Sequence, residues 1–182
     1  MTKKRTLNTF RGKFICGDCE AILKTMPDSS IDLVLTSPPY ADKRDYGDVD
    51  GAIPPDEYVD WFIPKAKEIY RVLKEDGSFI LNISDKVVDN YQHLYVFELL
   101  LKLCTDVGFH LVRDYIWYNP ATPPNVYSRG GYGRTKKSHE YCFWFAKGDS
   151  WEFNMDPIRK PYSKDMQKYL QGKGKGDRNQ NT

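Results

Sequence analysis

The chain predicts an α/β fold, a sheet with helices on its faces, on three observations. Short apolar runs rich in β-branched and aromatic residues alternate with segments whose apolar residues recur at three- and four-residue steps. Turn-forming Gly, Pro, Asp and Ser fall between them. A length of 182 residues, 40% of them hydrophobic, suits one core-bearing domain and is short for two.

Taken in order, "KFIC" (Lys13 to Cys16) reads as a first short strand. Gly17-Asp18 then turns the chain into a helix at "CEAILKTM", with Asp18 as N-cap. After the turn Pro27-Asp28-Ser29-Ser30 comes "IDLVLT", a buried strand. Residues 41 to 54 are polar and read as a long loop. Tyr58, Trp61/Phe62, Ala66, Ile69/Tyr70 and Leu73 mark a helix that Pro64 should kink or divide. Gly77 precedes the strand "SFILNI", and a second amphipathic helix runs through Leu94, Phe97, Leu100/Leu101, Cys104 and Val107 to a stop at Gly108. "HLVRDYIWY" and "EYCFWFA" are strands around a Pro- and Gly-rich loop, residues 119 to 138. No helix lies between these two, so they are expected to pair antiparallel at one edge. "WEFNM" reads as a short strand and "KDMQKYL" as a last helix. The expected division is a catalytic domain over 1–160 and a basic tail, or the start of a target-recognition region, over 161–182.

Composition removes some classes. No apolar run approaches the ~18 residues of a membrane span. The charged start has no apolar segment behind it, so the expected location is cytoplasmic. Net charge is only +2, yet from Arg134 onward eleven basic side chains face six acidic ones. That bias fits a phosphate-binding face or a plain solvated surface. Cys16 and Cys19 form C-x-x-C, and His139 and Cys142 form H-x-x-C, a ligand set that would suit zinc. The competing reading makes Cys16 a strand end and Cys142 a small core residue. No metal site is assigned.

The candidate site is "TSPPY", Thr36 to Tyr40, directly after an apolar strand. Ligands of open α/β sheets sit beyond the carboxyl ends of strands. Two prolines fix φ, and Pro39 holds Pro38 extended. The Pro38 carbonyl and the Ser37 hydroxyl become fixed acceptors beside the flat ring of Tyr40. Such a corner suits a planar ring bearing an exocyclic amino group.

These residues resemble motif IV of the amino-group DNA methyltransferases that use S-adenosylmethionine. The Ser-led form is more typical of N4-cytosine enzymes and an Asp-led form of N6-adenine enzymes. "GDCEAILKTMPDSSIDLVLTSPPY", "YRVLKEDGSFILNISD" and "DYIWYNPATPPNVYSRGGYGRTKKSHEYCFWFAKG" resemble successive segments of the permuted class, in which the catalytic half precedes the cofactor half. The resemblance covers roughly residues 13 to 160 and implies a partial Rossmann-like sheet. It makes Ser37, Pro38, Pro39 and Tyr40 catalytic, acting on a base flipped out of double-stranded DNA. It places cofactor contacts at Asp18, Cys19 and Thr36, where the competing reading of Asp18 is a plain helix N-cap. It puts Lys43, Tyr46, Arg134, Lys136, Lys137 and His139 toward DNA, where the competing reading is an ordinary polar loop and a solvated basic turn. Tyr127 and Tyr132 are candidates for stacking on bases, or for simply covering apolar surface. Carbon-5 cytosine methylation needs a reactive Cys, typically after Pro, and none of the four cysteines follows a proline.

The family's F-x-G-x-G cofactor loop has no counterpart here. "GGYG" lacks a preceding acidic strand, and "GKGKG" lacks both apolar strand and following helix. The expectation is therefore a catalytic half that needs a complementary chain carrying that loop, or a homo-oligomer.

Overall fold

A computed structural model describes residues 12–41, 53–121 and 137–163, with 166, 167 and 170. The elements are α1 (Cys19–Lys24), β1 (Ile31–Thr36), α2 (Tyr58–Val72), β2 (Leu73–Ile83), β3 (Val87–Val88), β4 (Tyr91–Gln92), α3 (Tyr95–Lys102), β5 (His110–Tyr118) and β6 (His139–Ala146). A sheet of order β1-β2-β6-β5 carries the fold, and β3-β4 is a separate hairpin. β1 and β2 are parallel, and β6 is antiparallel to both β2 and β5. The antiparallel pairing of the last two strands is as the sequence implies.

Alternation decides which side of each strand is buried. Phe79, Leu81 and Ile83 of β2 stand opposite Phe145, Phe143 and Tyr141 of β6 in register. They share one core with Tyr58, Phe62, Ala66 and Ile69 of α2 and with Tyr95, Val96 and Leu99 of α3. Burying each of these larger side chains contributes roughly 1.5–3 kcal/mol. Both helices therefore cover the same face. Among the described residues the expectation of helices on both faces is met on that face alone. The opposite face, which carries Leu33, Leu35, Tyr115 and Trp117, is open.

Two local readings need correction. Residues 13–16 form no strand, and Phe14 is 97% exposed. An apolar tetrapeptide becomes a strand only beside a partner, and among the described residues β1 pairs with β2 alone. Cys16 is accordingly exposed rather than a strand end. "WEFNM" is irregular chain, with Trp151, Phe153 and Met155 exposed. Pro64 does not divide α2, which runs unbroken over 15 residues with that proline on its exposed side. α3 passes through a π turn, Leu103–Val107, and stops at Gly108 (φ 102°). The hairpin β3-β4 turns on Asp89 and Asn90, both at positive φ as a type I′ turn requires.

Met1–Glu152 and Phe153–Thr182 form separate compact units. In the second, a 3-10 turn at Asp156–Ile158 is joined by an Arg159–Asp156 ion pair. The expected helix "KDMQKYL" lies mostly outside the described residues. No helix among the described residues is long and apolar enough to cross a membrane.

Candidate active site

The carboxyl ends of the parallel strands β1 and β2 lie side by side, and the start of antiparallel β6 meets them. One polar residue from each converges there: Ser37 just after β1, Asn82 in β2 and Glu140 in β6. Tyr40 closes the group. Its hydroxyl lies 2.7 Å from Glu140 Oε2, 2.8 Å from Asn82 Oδ1 and 3.0 Å from Ser37 Oγ. Ser37 Oγ also donates to Asn82 Oδ1 at 3.2 Å. The Asn82 amide nitrogen donates to the Tyr141 carbonyl at 3.2 Å, which fixes its oxygen toward the two hydroxyls.

The prolines turn the chain as their chemistry requires. Pro38 is buried, and the Pro39 carbonyl accepts from the buried Tyr58 hydroxyl of α2 at 2.8 Å. Among the described residues no hydrogen bond reaches the Pro38 carbonyl, which remains an available acceptor. Ser37 is exposed and Tyr40 half-buried against the core. The corner thus presents the Ser37 hydroxyl outward and ties the phenol inward, with the Pro38 carbonyl beside them left without a hydrogen bond among the described residues. An acceptor pair of this kind matches an amino group that has two hydrogens to donate.

A family model described as DNA methylase, the N6/N4 methyltransferases, matches residues 31–182. The chain belongs to this family. Its methyl donor is S-adenosylmethionine. The type II methyltransferase M.PvuII of Proteus hauseri is 33% identical over 175 residues, covering 93% of this chain and 51% of that protein. M.MwoI of Methanothermobacter wolfeii is 32% identical over 145 residues, covering 76% of this chain and 21% of that protein. Among solved structures, the cytosine-N4-specific PvuII DNA methyltransferase superposes with a TM-score of 0.68 at 28% identity, over 86% of this chain and 61% of that one. A putative DNA modification methylase from Thermus thermophilus, in complex with S-adenosylmethionine, shares the fold with a TM-score of 0.56 at 20% identity, over 80% of this chain and 58% of that one. The chain spans about half the length of M.PvuII.

The remaining methyltransferase candidates are spread along the fold. Asp18 caps α1, accepting from the Ala21 backbone N–H at 2.8 Å, and Cys19 opens that helix. Among the described residues no hydrogen bond or ion pair ties either to the corner. Thr36 ends β1 opposite Leu81. Lys137 is paired with the buried Asp85 and lies 4.8 Å from the centroid of the Tyr141 ring. Burial, then the Asp85 carboxylate, push the Tyr141 phenol up from its usual value. His139 meets Tyr141 edge-on at 5.5 Å. Lys43, Tyr46, Tyr127, Tyr132, Arg134 and Lys136 lie outside the described residues. Cys142 is half-buried, and that burial pushes its thiol up. Among the described residues no three His, Cys, Asp or Glu side chains gather as a metal site. Asn82 and Glu140 escape sequence reading. Their only signal is a polar residue at the border of an apolar run, in "FILN" and "HEYCFWF".

Proposed function

We propose that this chain supplies the catalytic part of a type II DNA methyltransferase that methylates the exocyclic N4 of cytosine in double-stranded DNA. The observation that carries it is the corner at the end of β1. Ser37 and Pro38 offer two oxygens to one amino group, and the hydrogen-bonded phenol of Tyr40 holds the Ser37 hydroxyl in place. An aromatic amine is a weak nucleophile because its lone pair is delocalised into the ring. Accepting both of its hydrogens favours a pyramidal nitrogen and aims its lone pair, a gain from orientation and electrostatics. The target base must leave the duplex to reach the corner, and the Tyr40 ring is the plate for it.

Asp18, with an exposed carboxylate, Cys19 and Thr36 at the strand end are the residues here that would touch S-adenosylmethionine. That compound, when bound, supplies a methyl group activated by sulfonium charge. Polar groups near the carboxyl edge of an open α/β sheet suit such a ligand. Lys43, Tyr46, Arg134, Lys136, Lys137 and His139 are the proposed DNA contacts. Phosphate contacts of this kind give affinity without sequence information.

The glycine-loop half is proposed to reside in a complementary polypeptide segment that completes the sheet beside β1. Three facts support this: the open sheet face, the unpaired side of β1 among the described residues, and the half-length match to M.PvuII. Cytosine is favoured over adenine by the Ser-led corner and by the likeness to a cytosine-N4-specific enzyme. Adenine N6 is the second reading, since the same acceptors fit its amino group.

The test is to incubate the chain, with and without candidate complementary polypeptides, with duplex DNA and methyl-labelled S-adenosylmethionine. The DNA is then digested and its nucleosides separated. N4-methylcytosine is expected, and only with the complement present. Labelled N6-methyladenine would move the target base. No label with any complement, alongside retained DNA binding, would leave a non-catalytic DNA-binding module.

A further inference from the structure

Methylating an amino group leaves one proton too many. When the nitrogen lone pair forms the new N–C bond, the S–C bond breaks and its electron pair stays on sulfur. The nitrogen then carries a positive charge until one N–H proton leaves. Ser37 is no carboxylate and the Pro38 carbonyl is a feeble base, so neither can keep that proton.

Resting on the methyltransferase reading, we propose that Glu140 is the terminal proton acceptor of the site, reached through the hydroxyls of Ser37 and Tyr40. The distances form a continuous path: Ser37 Oγ to Tyr40 Oη is 3.0 Å, and Tyr40 Oη to Glu140 Oε2 is 2.7 Å. Among the partners described for it, the one proton of Tyr40 can go to Asn82 Oδ1 or to Glu140 Oε2. The charged oxygen is the stronger acceptor. With that proton directed to Glu140, the Ser37 hydroxyl, within reach of Asn82 Oδ1 at 3.2 Å and of Tyr40 Oη at 3.0 Å, turns its proton to Tyr40 Oη, and a Ser37 lone pair is left for the base's N–H. The proton then moves in three concerted hops. Nitrogen gives to Ser37 Oγ, Ser37 gives to Tyr40 Oη, and Tyr40 gives to Glu140. The amine ends neutral, both hydroxyls are restored and the carboxylate becomes a carboxylic acid. Glu140 is half-buried and returns the proton to solvent. Asn82 touches both hydroxyls but cannot take up a proton, so it sets the hydroxyl positions and the path bypasses it. A carboxylate on β6, a hundred residues from the corner, thereby gains a chemical part in the reaction.

Two measurements test this separately. On the chain alone, NMR of hydroxyl protons should show a downfield Tyr40 resonance that Y40F removes and E140Q moves upfield. An unmoved resonance in E140Q overturns the Tyr40–Glu140 link whatever the protein's activity. With the complement and DNA, single-turnover methyl transfer is measured for wild type, E140Q, Y40F and the double variant. A wild type that transfers nothing refutes the methyltransferase reading instead. If wild type is active, E140Q should be slower by about 100-fold, in the range of lost general-base catalysis, with DNA affinity within about twofold. Y40F should match it, and the double variant should be no slower than either single one, because both break the same path. Gln still accepts the Tyr40 hydrogen bond, so an E140Q rate within about threefold of wild type would reduce Glu140 to a prop and overturn the proposal.

Discussion

At the scale of single residues, the corner separates chemistry from stability. Ser37 is exposed and its hydroxyl can be lost to solvent-facing space, whereas Asn82 is 8% exposed and holds three hydrogen bonds. S37A should therefore keep its unfolding free energy within about 0.5 kcal/mol of wild type. Methyl transfer by the complemented enzyme should fall by about 100-fold, as for the loss of one preorganised hydrogen-bonding partner. N82A should instead cost about 1–3 kcal/mol, since it removes a buried amide that bonds both hydroxyls and the Tyr141 carbonyl. Urea unfolding checks both values, and equal losses of stability would contradict this division. Ser37 and Tyr40 were legible in the sequence because a proline corner is a local signal. Asn82 and Glu140 were not, because what joins them to the corner is strand register, and register leaves no mark on neighbouring letters. The cysteines illustrate the same limit. Spacing paired Cys16 with Cys19, and the fold exposes both, yet burial pushes the Cys19 thiol up as it does those of Cys104 and Cys142. A raised thiol holds less thiolate at a given pH, and thiolate is the nucleophile. Iodoacetamide near neutral pH, mapped by mass spectrometry, should modify Cys16 about tenfold faster than Cys142. Comparable rates would show that Cys142 is not shielded as described.

At the scale of elements, endings were more readable than beginnings. Gly108 was legible as a stop because a left-handed residue must follow a helix that turns sharply, and φ there is 102°. A Cβ at Gly108 would sit 3.5 Å from the Tyr70 hydroxyl, ordinary contact, so the cost of a side chain is conformational rather than steric. G108A should thus destabilise by about 1 kcal/mol with an unchanged denaturant slope. A much larger loss would mean that the Tyr70 contact is tighter than it stands. The junction of α1 and β1 was less legible. Arg71 of α2 reaches the Leu23 and Met26 carbonyls at 2.8 and 3.0 Å and pairs with Asp28, closing the turn from a distance of more than forty residues. Composition marks Pro27-Asp28-Ser29-Ser30 as a turn but says nothing of the guanidinium that binds the carbonyls just before it and the Asp28 carboxylate within it. The false strand at 13–16 has the converse cause. Local apolar pattern proposes a strand, and only a neighbouring edge can accept it.

At the scale of the whole molecule, the sheet's buried face follows from alternation, and on the opposite face the described residues leave a run of apolar side chains exposed. Leu33 and Leu35 of β1 are 56% and 68% exposed, and Tyr115 and Trp117 across the sheet are 48% and 56% exposed. An apolar sheet face beside a strand that pairs on one side, as β1 does among the described residues, is a template for association. A complementary polypeptide that adds a strand to β1 and covers this face would bury these side chains together. Substituting L33K and L35K changes side chains that make no part of the described core, so the isolated chain should unfold within about 0.5 kcal/mol of wild type. Sedimentation should show the wild-type chain associating as its concentration rises and the Lys variant remaining monomeric. In complementation, two charges forced against a covering layer must be desolvated without partners, so the variant should lose capture by the complement and with it methyl transfer. Asn82, Glu140 and the corner are untouched by these changes, so full activity in L33K/L35K would show that the complement binds elsewhere while leaving the chemistry of the corner standing.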